Sequence, residues 1–140
     1  TSCGGHREER AVSTDRLFLF LGALSAAIAV AAGAVGAHAL QSTLTPERLA
    51  VFETAVRYQT YHAIGLCVVA WAVVRFEGRA APLAGALFAL GTLAFCGSLY
   101  AYALTGWRAA ALAAPVGGAA FIAGWICLAW LALVAPRRHH

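Results

Sequence analysis

Residues 52–66 read FETAVRYQTYHAIGL, a stretch that sets Glu53, Arg57, Tyr58, Gln59, Tyr61 and His62 at the entrance of an apolar run. At about 100° per residue, Glu53, Arg57 and Tyr61 fall along one helical stripe, while Tyr58 and His62 fall along another, roughly opposite. A helix that carries two polar edges into apolar surroundings needs other helices to pack against. Whether the flanking chain supplies them decides the fold.

Four uncharged runs answer the question: Leu17 to Pro46, Tyr58 to Val74, Ala80 to Trp107 and Ala109 to Pro136. About 20 apolar residues of helix cross the hydrocarbon core, so each run supplies one crossing, the second being the shortest. The 140 residues are 61% hydrophobic and 11% charged, and the mean hydropathy of +0.74 lies far above that of soluble domains. The expected fold is all-α, an integral membrane four-helix bundle with helices at about 17–40, 46–74, 81–104 and 114–135. A polar tail, 1–16, precedes the bundle and a basic tail, 136–140, follows it.

Local signals place the ends. Thr45-Pro46-Glu47 has the chemistry of a helix start: a hydroxyl cap, proline at the first helical position and an acid in the first turn. The second helix therefore begins with an amphipathic interfacial segment of three turns and crosses from about Tyr58. Glu53 and Arg57 stand at i, i+4 in the favourable order. Arg75, Glu77, Gly78 and Arg79 form a charged turn, Pro82 opens the third helix, and Pro115-Val116-Gly117-Gly118 opens or kinks the fourth. Tyr100, Tyr102 and Trp107 suit an aromatic belt. Small residues recur where backbones can approach: Gly22, Ala26, Gly33 and Gly36 on the first helix, Gly85 and Gly97 on the third, Gly117, Gly118 and Gly124 on the fourth.

All ten basic residues are arginines. Four crossings put the N-terminal tail, the second connection and the C-terminal tail on one side, with Arg7, Arg10, Arg16, Arg75, Arg79, Arg137 and Arg138. Arg48, Arg57 and Arg108 fall on the other, so the positive-inside rule makes both termini cytoplasmic. No basic patch interleaved with aromatics points to nucleic acid. Cys67, Cys96 and Cys127 lie inside apolar runs and read as small buried thiols, and Cys3 follows no apolar signal segment. An ordered polar tail at Thr1 to Arg16 would need a partner to lie on, and the missing initiating Met suggests processing or a missing start.

Four blocks, GAVGAHAL at 33–40, FETAVRYQTYHAIGL at 52–66, FCGSLYAYALTG at 95–106 and APVGGAAFIAGW at 114–125, together resemble the YgdD/YwdK-type family of small membrane proteins, which includes transmembrane protein 256. The resemblance spans about Leu17 to Leu133. Ala114-Pro115 stands where that family usually has Thr-Pro. A four-helix integral membrane protein of unknown function is implied, with no catalytic residue to carry over.

Three readings compete for the polar residues His38, Glu53, Arg57, Tyr58, Gln59, Tyr61, His62 and Tyr100. The first is an interhelical polar clamp that fixes register, with His62 bonded to a tyrosine or backbone carbonyl. The second is a lipid or quinone site using Glu53, Arg57, Gln59 and Tyr61. The third pairs His38 and His62, at similar depth, on a haem iron or metal. Neither G-x-S-x-G nor H-E-x-x-H occurs, so no enzyme is expected. The chain is expected to be a non-enzymatic accessory or structural subunit of a larger membrane complex, respiratory or photosynthetic, in the bacterial inner membrane. Its expected partners are the lipid bilayer and other transmembrane proteins, with no cofactor; binding of a lipid, quinone or haem is the alternative.

Overall fold

The computed structural model describes residues 12–137. Cys3, most of the polar tail and its expected partner contact, Arg138, His139 and His140 fall outside them. Four long helices make up the described chain. Helix α1 spans Thr14–Leu40, starting before the expected Leu17, and its last turn, Gly36–Leu40, is π-helical. Helix α2 spans Pro46–Arg75, with the Thr45 hydroxyl accepting the Arg48 N–H at 3.4 Å. Helix α3 covers Ala80–Thr105, interrupted by a π-helical turn at Thr92–Cys96. It stops at Gly106, whose φ of 75° turns the chain back. Helix α4 covers Arg108–Val134, six residues of 3-10 helix preceding the α-helix at Ala114.

Helices α1, α3 and α4 are long and apolar enough to cross a membrane. Helix α2 is longer yet less apolar, and its surroundings explain why. Ten of its residues are buried, against three on the α-helical part of α1. One face of the polar helix packs on its neighbours, and the other is exposed. It is one continuous helix, and its amphipathic first turns pack along α1: Phe52 and Ala55 are buried, with Gly36 against the Phe52 ring and Gly33 against Val56.

The contacts fix the direction of every helix. Gly22 meets Ala63 and Cys67 while Gly36 meets Phe52, so α1 and α2 are antiparallel. Gly124 meets Phe88 and Gly117 meets Phe95, so α3 and α4 are too. Gly65 lies against Phe88, and Arg48 reaches Ala103, which makes α2 antiparallel to α3. At one end, the Glu77 N–H donates to the Pro136 carbonyl at 3.0 Å, and Phe76 bridges to Arg137. That end therefore gathers the α2–α3 turn and the C-terminal strand of chain. The apolar core around Phe18, Leu66, Val69, Phe88 and Phe121 fills the space between.

The small residues divide sharply. A Cβ on Gly22 would stand 2.8 Å from the Ala63 carbonyl oxygen, one on Gly85 2.5 Å from the Phe18 ring and one on Gly124 2.6 Å from the Phe88 ring. A Cβ on Gly117 would collide with the backbone nitrogen of Phe95. These positions let helices touch where burying apolar area gains little over lipid. Gly97 is a correction: nothing lies within 4 Å of its Cβ position, because it is on the exposed side just past the π-turn. Ala26 is only half-buried, one turn from Ala29, which takes the helix contact.

Candidate functional site

The polar residues of α2 separate into three environments. Gln59 is 5% exposed and faces inward. Its Nε2 donates to the Ser25 carbonyl at 3.1 Å and lies 3.4 Å from the Ser25 hydroxyl on α1, while its Oε1 accepts the Tyr100 hydroxyl of α3 at 2.7 Å. A carboxamide is suited to this task because it carries donors and an acceptor on one planar group. In apolar surroundings each unsatisfied polar group costs free energy, so the three helices are held in one register.

His62, 4% exposed, sits a turn further on. Its Nδ1 lies 2.7 Å from the Tyr58 carbonyl, and its Nε2 lies 3.2 Å from Trp125 Nε1 on α4. These partners dictate the tautomer. A carbonyl only accepts and an indole N–H only donates, so Nδ1 carries the proton and Nε2 the lone pair. The neutral ring stacks on Phe121 with centroids 3.4 Å apart and planes 8° apart. Both nitrogens are engaged, and the lone pair a haem iron would need points at Trp125.

Beside this stack an aromatic groove of about 500 Å³ opens between α2 and α4, lined by Tyr58, Tyr61, His62, Phe95, Gly118, Phe121, Ile122 and Trp125. Phe95 reaches it from the π-turn of α3 and lies 4.8 Å from Tyr58 and 5.6 Å from Phe121, centroid to centroid. Insertions of this kind re-aim side chains and are frequent at functional sites. Among the described residues, the hydroxyls of Tyr58 and Tyr61 have no hydrogen-bond partner.

The third environment is the outward stripe of α2. Glu53 and Arg57 are exposed and border a shallow cleft with Gly33, Gly36, Phe52 and Val56. Among the described residues they form no ion pair, with each other or otherwise; the pairing their spacing suggests is not closed, because both ends reach outward. Tyr61, Ile64, Val68 and Trp71 continue the same exposed stripe.

His38 is exposed in the π-turn that ends α1 and does not approach His62. Gly36 faces Phe52 in an antiparallel pair, so the two imidazoles are separated by more than about 15 Å along the helix axes at 1.5 Å rise per residue. This corrects the expectation of similar depth; α1 and α2 overlap further than the apolar runs imply. Among the described residues no three His, Cys, Asp or Glu side chains converge to hold a metal ion. Cys67, Cys96 and Cys127 are free thiols, only Cys96 being fully buried.

Sequence reasoning missed several participants. Arg48 Nε donates to the Ala103 carbonyl at 2.7 Å, and Tyr102 donates to Glu47 at 3.2 Å, so the first turn of α2 satisfies the C-terminal end of α3. Ser25 and Trp125 supply the partners of Gln59 and His62. Trp125 closes the fourth sequence block and was visible there; Ser25 is a small residue in a small-residue stripe and carried no signal. Every buried side-chain nitrogen and oxygen of the described residues has a partner, so the interior is a closed set of bonds and its free polar groups lie at the surface.

Comparison with known proteins agrees with this picture of an apolar helical chain. A family model described as protein of unknown function (DUF423) matches residues 32–118. A UPF0382 membrane protein of Staphylococcus haemolyticus is 42% identical over 113 residues, covering 81% of this chain and 92% of its own. The UPF0382 membrane protein YwdK of Bacillus subtilis is 40% identical over 114 residues, 81% of this chain and 93% of its own. The UPF0382 inner membrane protein YgdD of Escherichia coli is 38% identical over 112 residues, 80% and 86%. No solved structure matches the chain significantly.

Proposed function

The chain belongs to this family of membrane proteins of unknown function (DUF423), and from that premise we propose that it is a non-enzymatic component that packs against other transmembrane proteins as an accessory subunit. In this reading all four helices cross the inner membrane, the compartment named for the Escherichia coli relative, with both termini cytoplasmic. One observation carries the reading: the outward stripe of α2, Glu53, Arg57, Tyr61, Ile64, Val68 and Trp71, is exposed from end to end and begins with two charges that have no partner among the described residues. Charged side chains beside a lipid-facing stripe are costly and favour a protein neighbour that meets them.

The test is isolation from the native membrane in mild detergent, with mass spectrometry of whatever co-migrates. A stoichiometric membrane partner is expected, and Arg57→Glu should reduce its recovery at least tenfold while leaving this chain's own abundance unchanged. A monomer with no partner, in detergent and after crosslinking in the intact membrane, contradicts the proposal.

A further inference from the structure

The aromatic groove between α2 and α4 is not explained by register, and it shares only Tyr61 with the outward stripe. Its walls are the rings of Tyr58, Tyr61, His62, Phe95, Phe121 and Trp125, and its volume of about 500 Å³ falls within the range of about 300–1,000 Å³ typical of small-molecule sites. Phe121 stands 13 residues from either end of α4, so the groove opens at mid-depth of the membrane-spanning part. We propose that it binds a neutral, planar, carbonyl-bearing ring, the headgroup chemistry of a membrane quinone.

Four features select that chemistry. Flat aromatic walls gain from offset or edge contact with another ring, which a saturated chain does not offer. No charged residue lines the groove, and mid-depth is the wrong place for a phosphate or a quaternary ammonium headgroup. The two phenols of Tyr58 and Tyr61 lack acceptors among the described residues, and a ring carbonyl supplies one. The space is also maintained by the backbone: Gly117 accommodates Phe95, whereas a Cβ at Gly118 would meet only ordinary contact at 3.8 Å, leaving room above it. His62 lines the groove without offering a bond, both of its nitrogens being engaged.

The test uses the purified chain alone in nanodiscs, so that it is independent of any protein partner. Trp71, Trp107 and Trp130, all exposed, are replaced by Phe, leaving Trp125 as the reporter. Titration with ubiquinone-2 should quench its fluorescence saturably. Tyr58→Phe with Tyr61→Phe should raise the dissociation constant about tenfold, the size expected for two lost hydrogen bonds. Gly118→Leu should abolish the saturable phase with helicity retained by circular dichroism; if leucine lowers helicity, Gly118→Ala, which fits without a clash, should still weaken binding. Geraniol, the tail chemistry without the ring, should not compete. Quenching that is linear in quinone and equal in the Gly118 variants overturns the proposal, as does equal competition by geraniol or unchanged affinity in the double Phe variant.

Discussion

At the scale of single residues, Gln59 is the position on which the most depends. Its amide is bonded to α1 and α3 at once, so Gln59→Leu leaves the Tyr100 hydroxyl without its acceptor and removes the side-chain bond to the Ser25 carbonyl, which keeps its helical partner. The expected loss is about 1–2 kcal/mol, at the upper end for interhelical bonds in membranes because a half-buried hydroxyl is orphaned. Tyr100→Phe in the Gln59→Leu background should cost little further, giving a coupling of about 1 kcal/mol in a double-mutant cycle read by unfolding in detergent. Strictly additive losses would show that the bond does not hold the helices. Gln59, His62 and Tyr100 were legible in the sequence because a polar group inside an apolar run demands a partner. The pairings were not: Arg48 and Ala103 are 55 residues apart, and no local pattern announces that a guanidinium will cap a distant helix.

At the scale of elements, the helices were legible and their irregularities were not. Thr45-Pro46 marks the α2 start by local chemistry, and the charged turn ending in Arg79 marks the start of α3. The π-turns at Gly36–Leu40 and Thr92–Cys96 arise from how side chains fit against a neighbour, which periodicity does not encode. The clearest case is Phe95, carried by the second π-turn onto Gly117. Gly117→Ala should therefore destabilise by about 1–3 kcal/mol through overpacking against backbone. Gly97→Ala, with open space around it, should be neutral or stabilise by up to about 1 kcal/mol, alanine being the better helix former. Thermal unfolding of both variants in detergent checks the contrast; equal effects would mean that the close approach of α3 and α4 has no structural role.

At the scale of the whole molecule, the least apolar helix packs one face on its neighbours and leaves the other exposed. Helices α1, α3 and α4 carry the hydropathy of membrane spans, and α2 carries the polar groups that bond to them. A count of apolar runs reaches four crossings, whereas hydropathy and length together select three, and α2 differs by Tyr58, Gln59, Tyr61 and His62 and by the arginines, Arg57 and Arg75, that bound its apolar run. The antiparallel register and the bond from Glu77 to Pro136 place the α2–α3 turn with the C-terminal end, the arrangement that the proposed crossing of α2 would produce. The direct measurement is the sidedness of its two ends. Single cysteines at Ser42 and Glu77, in a protein otherwise free of cysteine, are labelled with an impermeant maleimide in intact cells and in inverted membrane vesicles. Ser42→Cys should label only from outside and Glu77→Cys only from the cytoplasmic side. Labelling of both from the same side would contradict the account, since α2 would then lie along the membrane surface and its polar face would be no internal clamp.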